Sequence, residues 1–384
     1  MTNNDFPVRA VIDLTAIRDN AAELKRRAGN AQLMAIVKAN AYGHGLLPCA
    51  RAALAGGATW LGAAQLTEAL SLRAGLGNQS APSILSWLYA PGADFAGALL
   101  NQIDLGVSAI WALNEIAAAA RQTNQVARIH LKVDSGLGRS GATAKSWFEL
   151  VTSALGYQAE GLVEVVGCWS HFAYADNPTH PTVRAQQQAF AAAVAQAEQI
   201  GARFTVRHLA NSAALLTGAD ACWDMVRPGL ALYGLSPIAD LAQPHQLGIR
   251  PAMRLEADLI MVKAVSAGQG VSYGHTYIAP RDTKLGLVPA GYADGVARHA
   301  SNRASVQVAG QRLRIAGRVC MDQFVVDLGP DSTAQSGDRV ILFGPGDHGE
   351  PTAEDWANDI GTISYEITTR LPAHLHRVYV EGKG

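Results

Sequence analysis

Eight short apolar runs recur through the first 230 residues of this 384-residue chain, each separated from the next by alanine-rich stretches of helical spacing. The runs are Gln32–Lys38, Trp60–Ala64, Ser83–Leu88, Gly106–Ile110, Ala127–Val133, Val163–Ser170, Phe204–His208 and Asp224–Arg227, with helix-period segments such as Ala112–Gln122, Ser146–Leu155 and Thr182–Ile200 between them. Strands that alternate with helices form right-handed βαβ units on a parallel sheet. Eight such units in about 250 residues close into a TIM-like (β/α)8 barrel, an α/β fold. Ahead of them, residues 10–13 read as one more short strand. A helix follows, N-capped by Thr15 and carrying Ile17, Ala21 and Leu24 on one face until Gly29 ends it.

From Ile238 to Pro251 the helical rhythm stops, and shorter apolar runs broken by Gly, Pro and Asp take over. Leu255–Val265, Leu285–Val288, Ser305–Val308, Leu313–Ala316, Phe324–Leu328 and Val340–Phe343 read as strands, so the last third is expected to be a mostly-β domain. The length exceeds what one core usually serves, and the natural division is 1–245 for the barrel and 246–384 for the β domain.

Composition narrows the function. With 49% hydrophobic and 16% charged residues and a net charge of −1, the chain has the balance of a well-buried globular enzyme. Neither nucleic acid nor an anionic membrane surface is indicated as a partner. Cys49, Cys168, Cys222 and Cys320 are scattered without a C-x-x-C pair, which points to reduced thiols rather than a zinc site or a disulfide framework. No signal-like N-terminus and no run of about 18 apolar residues is present, so a soluble, cytoplasmic protein is expected.

Chemistry in such a barrel belongs where the strands end. The first run stops abruptly at Lys38, inside Val37-Lys-Ala-Asn-Ala-Tyr-Gly-His-Gly45. A lysine delivered by a buried strand to a pocket mouth has its pKa lowered by desolvation, and its neutral amine can condense with a carbonyl or accept a proton. The plainer alternative is a lysine snorkelling at a strand end. Further polar clusters fall at the ends of later strands: Arg139 in DSGLGRSG, His171 and Asp176 in SHFAYAD, Asn211 and Ser212 in HLANS, and Arg227, Gly229 and Tyr233 in RPGLALYG. The loops after the seventh and eighth strands often bind phosphate. Ser212 could donate a hydroxyl there, and Gly229 with Leu230 could offer backbone N–H groups; an ordinary helix N-cap and a turn glycine fit the same residues. A Schiff-base lysine with a phosphate cradle on one face points to pyridoxal phosphate. Gly136, Gly138 and Gly141 spell a literal G-x-G-x-x-G. They sit on the fifth strand, however, and the next strand ends without the acidic residue that would hold a ribose, which argues against a dinucleotide.

Taken together, VKANAYGHG, KVDSGLGRSG, HLANS, VRPGLALYG, VSYGHTY, GYADG, GRVCMDQ and TISYE, in that order over residues 8–380, resemble the pyridoxal-phosphate-dependent alanine racemases. The resemblance implies a barrel, a C-terminal β domain, and a homodimer whose active sites are completed by the partner subunit. It implies that Lys38 holds the cofactor and is the base for the D-substrate, and that Tyr273 of the second subunit is the base for the L-substrate. A tyrosine hydroxyl, with an unperturbed pKa near 10, serves as such a base only if its neighbours lower that value. His171 and Arg227 match the hydrogen-bond chain behind that tyrosine, and Arg227 the arginine that faces the pyridine nitrogen. An arginine there keeps the ring nitrogen unprotonated and the cofactor a weaker electron sink, whereas a decarboxylase of related architecture would offer a carboxylate.

By the same resemblance Tyr42, Asn211, Ser212, Gly229, Leu230 and Tyr365 are cofactor-binding positions. Arg139 lies near the substrate carboxylate, and Met321 and Asp322 line the substrate pocket from the partner. Lys132 takes the place of a lysine that in the family can be carbamylated, and Asp176, Tyr292 and Arg298 those of an entrance corridor. No metal is implied. Ser135, Leu137 and Trp169 depart from the residues frequent at their positions without removing a catalytic group. The expected activity is interconversion of L- and D-alanine, supplying D-alanine for peptidoglycan. The alternatives are a decarboxylase, a broader racemase, or a cofactor carrier, which would lack the β domain.

Overall fold

The structure, a computed structural model, describes residues 7–77, 82–218 and 221–382, which divide into two compact units. Residues 17–41 and 46–249 make one; residues 7–16, 42–45 and 250–382 make the other. Strand β1 (Val8–Asp13) belongs to the second unit.

In the first unit eight parallel strands close a barrel: β2 (Gln32–Ile36), β3 (Trp60–Gln65), β4 (Ser83–Leu88), β5 (Ile103–Val107), β6 (Ala127–Lys132), β7 (Val163–Trp169), β8 (Val206–Asn211) and β9 (Met225–Arg227), which pairs back onto β2. Each matches one of the eight runs. Two are displaced: the seventh runs over Val206–Asn211 instead of Phe204–His208, and the fourth lies at Ile103–Val107 instead of the expected Gly106–Ile110. Asp104 interrupts the apolar pattern there, yet it is buried because Arg128 and His130 pair with it. The outer helices form for local reasons. Thr143 accepts from the Ser146 N–H to cap Ala144–Ala159, which buries Trp147, Leu150, Val151 and Ala154 at helical spacing. Pro181 opens Pro181–Gln199, and the Trp147 indole N–H donates to the Ala193 carbonyl at 2.9 Å, tying these two helices together. A buried tryptophan or leucine here contributes about 2–3 kcal/mol.

The second unit is mostly β. Its largest sheet has six strands in the order β16-β15-β18-β10-β1-β19, where β10 is Met253–Asp258, β15 Ser305–Val308, β16 Gln311–Arg314, β18 Arg339–Phe343 and β19 His376–Val380. A three-stranded sheet joins β11 (Met261–Val265), β14 (Thr283–Val288) and β17 (Phe324–Asp327), and a small hairpin joins β12 (Gly270–Val271) to β13 (Tyr277–Ile278). The run expected as one strand, Leu255–Val265, is therefore split between two sheets at Leu259 and Ile260. Their N–H groups donate to Asp338 and Leu287, on either side of the change. β1 is fixed in register by charge as well as by its ladder: Arg9 lies opposite Glu256 and donates to it at 2.8 Å, with both side chains almost fully buried. The pair belongs to a network, since Arg9 also donates to Asp258 at 2.9 Å and Glu256 also accepts from Arg254 at 2.8 Å, and a slip of one residue would break several of these contacts at once. Helices Ala353–Ile360, capped by Thr352, and Ser364–Thr369 complete the unit.

Candidate active site

Lys38 stands two residues beyond β2, half-buried. Burial lowers its pKa first and the Arg139 guanidinium second, while Glu68 opposes them. The backbone after it is unusual: Ala39, Asn40, Ala41 and Tyr42 all have φ between 53° and 56°, a left-handed turn made without glycine. Such a conformation costs roughly 1–2 kcal/mol per residue and persists only where its surroundings over-determine it. Here the Ala41 N–H donates to Val37 O at 2.8 Å, and Asn40 Oδ1 accepts from the Leu46 N–H at 2.8 Å. The turn holds the lysine's strand end in one direction.

Around the ends of β6, β7 and β9 the barrel gathers cations. Lys132, the last residue of β6, is buried and donates to Ser140 Oγ at 2.6 Å. Its Nζ lies 4.3 Å from the Trp169 ring centroid. Burial, then Arg227 and Arg139, hold its pKa down to about 8, with Asp134 opposing and Lys38 contributing further. Arg227, the last residue of β9, is buried too. Its Nη2 donates to Ser170 O at 2.7 Å and Leu209 O at 3.3 Å, its Nη1 donates to His208 Nδ1 at 3.1 Å, and its Cζ lies 5.1 Å from the same Trp169 ring. Burial lowers its pKa to about 9, so the guanidinium keeps its charge at neutral pH. His171, 3.5 Å from Arg227 Nη2, is pushed well below the usual imidazole range by burial and then by Arg227, Arg139, Lys132 and Lys38. Burial, two arginines and two lysines thus act together to keep this imidazole neutral. Asp134, the carboxylate that acts on Lys132, accepts the N–H groups of Gly136, Leu137 and Gly138. A cleft of this kind concentrates anions.

At the ends of β8 and β9, Asn211 caps the short helix Ser212–Leu216, accepting from the Ala214 N–H at 3.0 Å. Ser212 is therefore not the cap. Its Oγ accepts from the N–H groups of Gly229 at 2.9 Å and Ala231 at 3.3 Å. The serine oxygen takes the Gly229 donor, and the Ser212 proton is what it offers outward. Leu230 is buried in the turn that follows. Amine, hydroxyl and guanidinium together suit a ligand with a carbonyl, a phosphate and a basic ring nitrogen, as pyridoxal phosphate has. Asp176 is exposed in the turn after β7.

The remaining candidates lie on the second unit. Tyr42 is buried with its ring 6.1 Å from that of Tyr365, and burial, with Tyr365 beside it, raises its pKa. Tyr273 is 72% exposed, Met321 54% and Tyr292 45%, and Asp322 and Arg298 are exposed as well. The Tyr292 and Ala293 N–H groups donate to Cys320 O and Met321 O, so these two loops are held together. Gly291 permits that approach, because a Cβ on it would overlap the Met321 carbonyl.

Some contributors were not legible beforehand. His208 reads as a structural strand-end histidine but contacts Arg227. Gln186, buried on a helix, donates to His171 O at 3.1 Å and accepts from the Ala173 N–H at 2.8 Å, fixing the loop that carries His171. It opens the run Gln186-Gln187-Gln188, and only its helical spacing from Val183 and Phe190 on the buried face could have flagged it.

Fold and site define a (β/α)8-barrel enzyme with a C-terminal β unit and an amine at the barrel mouth. The family model for the alanine racemase N-terminal domain matches residues 12–237, and that for the C-terminal domain residues 252–379. The chain is 55% identical over 377 residues to the alanine racemase of Frankia casuarinae, covering 98% of this chain and 97% of that one. It is 53% identical to that of Streptomyces coelicolor, covering 97% and 95%. The crystal structure of alanine racemase from D-cycloserine-producing Streptomyces lavendulae superposes with a TM-score of 0.96 at 53% identity, covering 98% of each chain. The chain belongs to the alanine racemase family and is an amino-acid isomerase of that kind. Among the described residues, no helix is long and apolar enough to cross a membrane.

Proposed function

We propose that the chain interconverts L- and D-alanine in the cytoplasm with pyridoxal 5′-phosphate as cofactor, as a homodimer, and supplies D-alanine for peptidoglycan. The carrying observation is the set of basic side chains, Arg227, Arg139, Lys132 and Lys38, that act together on buried His171, with Arg227 Nη2 3.5 Å from its ring, which suits a phosphate and a substrate carboxylate. When bound, the cofactor supplies an electron sink that acidifies the substrate α-carbon. Lys38 Nζ holds the cofactor and moves a proton as the base for D-alanine, its lowered pKa favouring the neutral amine. Tyr273 from a second copy is the opposing base, for L-alanine.

Arg227 presents a guanidinium to the ring nitrogen and cannot serve as its proton acceptor. Ser212, Asn211, Gly229, Leu230, Tyr42 and Tyr365 serve the phosphate end, and Arg139 the substrate carboxylate. Lys132, with a pKa near 8, keeps a neutral fraction whose amine would add to carbon dioxide and release a proton to solvent, and the resulting carbamate oxygens would orient Arg139. Met321 and Asp322 line the partner's substrate pocket, while Asp176, Tyr292 and Arg298 form its approach. The exposure of Tyr273, Met321 and Tyr292 supports a covering second subunit.

Chirality-resolved turnover over a panel of amino acids tests the reading. Alanine is expected to turn over fastest, both ways and with retention of the carboxyl group. Faster turnover of a larger amino acid would make this a broader racemase, and carbon dioxide release a decarboxylase; pocket discrimination of one methylene is worth only about 1–3 kcal/mol.

A further inference from the structure

Behind Arg227 the barrel interior holds a continuous polar chain drawn from four strands. Arg227 Nη1 lies 3.1 Å from His208 Nδ1, His208 Nε2 lies 2.9 Å from His130 Nδ1, and His130 Nε2 lies 3.3 Å from Asp104 Oδ2. Asp104 also accepts from Arg128 Nε at 3.0 Å. Both histidines are fully buried and Asp104 nearly so. At the far end, Asp104 and Arg128 line a cavity of about 510 Å³ where several barrel strands begin.

The chemistry of the two ends dictates the direction of every bond between them. A guanidinium can only donate and a carboxylate can only accept. His208 Nδ1 must therefore be the acceptor for Arg227, which puts the His208 proton on Nε2. That proton is donated to His130 Nδ1, and the His130 proton sits on Nε2, directed at Asp104. Reversing either ring would set two donors or two acceptors face to face in a dry interior, where an unmade hydrogen bond costs about 1–3 kcal/mol.

The surrounding packing fits rings that must not turn. His208 stacks on Trp169 at 5° between planes, and His130 meets Trp60 edge-on at 82°. The β6–β7 ladder slips register beside His130 and the β8–β9 ladder beside His208, irregularities of the kind that re-aim a side chain. Gly167 on β7 clears the space, since a Cβ there would overlap His130 Nδ1, the atom that faces His208.

We propose that Asp104, acting through His130 and His208, is a positioning residue for Arg227: it selects one tautomer of each imidazole and so leaves His208 Nδ1 as the acceptor that orients the guanidinium. The link from Arg227 to the cofactor ring rests on the function proposed above, but the tautomer pattern does not.

The test uses the full-length chain labelled with ¹⁵N-histidine, with signals assigned by their loss in His208→Gln and His130→Gln. At neutral pH both residues should show an unprotonated Nδ1 and a protonated Nε2. A protonated Nδ1 or a cationic ring at either position overturns the proposal, and this arm needs neither cofactor nor turnover. In the pyridoxal-phosphate-loaded enzyme, Asp104→Asn should scramble the two signals and lower kcat for alanine about ten-fold, the size of effect common for groups that orient an active side chain. KM should stay within about two-fold, as an effect confined to the reacting complex requires. Gly167→Ala, which touches neither Asp104 nor Arg227, should reproduce that split. Unchanged imidazole signals or an unchanged kcat in Asp104→Asn overturns the proposal. A wild-type enzyme that does not racemise alanine would overturn the function instead and leave the tautomer result standing.

Discussion

The two groups of candidate residues are built on opposite principles. At the barrel mouth, Lys132, Arg227 and Ser212 are buried, each hydrogen-bonded within the barrel, and burial lowers the pKa of the lysine and of the guanidinium. On the second unit, Tyr273, Met321 and Tyr292 are large side chains left facing water. The first arrangement is preorganised by folding. The second leaves large side chains in solvent, and these are the ones that the proposed second subunit would cover. One chain therefore carries a finished half and, in the function proposed, a half presented to a second copy.

The largest expected effect strikes the finished half. Lys38→Ala should reduce racemisation by at least about 10³-fold, the upper part of the range for a lost acid–base group, and should abolish borohydride-dependent fixation of pyridoxal phosphate to the chain. Retained fixation would mean another lysine holds the cofactor. Tyr273→Phe should reduce α-proton exchange from L-alanine about 10²-fold more than from D-alanine, as followed by solvent deuterium incorporation. Equal losses would break the two-base scheme. Mixed dimers of Lys38→Ala and Tyr273→Phe chains should regain activity; a verified heterodimer without recovery would place both bases on one chain.

Stability should separate the halves as well. Arg227→Gln leaves Ser170 O, Leu209 O and His208 short of a donor and should lose about 2–4 kcal/mol in urea unfolding. Tyr273→Phe, at an exposed position, should stay within about 0.5 kcal/mol of wild type. Comparable losses would erase the contrast. The smallest effect is that of Lys132. Its pKa is near 8 in the folded chain and near 10.5 unfolded, so between those pH values the unfolded chain binds more protons and stability rises with pH. Relative to Lys132→Met, cofactor- and bicarbonate-free wild type should gain roughly 1–3 kcal/mol on going from pH 7 to pH 10. A flat difference would mean the buried amine is not destabilised when charged.

The barrel was legible because its strands are buried on both faces and announce themselves as apolar runs; Ser83–Leu88 was placed residue for residue. The fourth strand was misplaced where Asp104 sits. That carboxylate is tolerated only because His130 and Arg128 approach from a neighbouring strand, which no local pattern records. The strand at 10–13 was visible, but its sheet was not, since its partners are more than 240 residues away. Lys38 stood out by position. The left-handed turn after it did not, because alanine and tyrosine do not favour that conformation and only the surroundings enforce it.

The sequence alone determined the class of fold and the kinds of functional group available: periodicity is local, and an amine, a guanidinium or a phenol is written in the residue itself. Only the tertiary structure decided which basic groups lie together, which way the Arg227–His208–His130–Asp104 hydrogen bonds run, and that Tyr273 faces outward. Those properties are sums over neighbours distant in the chain. A lysine's pKa or a histidine's tautomer belongs to its surroundings, and the surroundings exist only after folding.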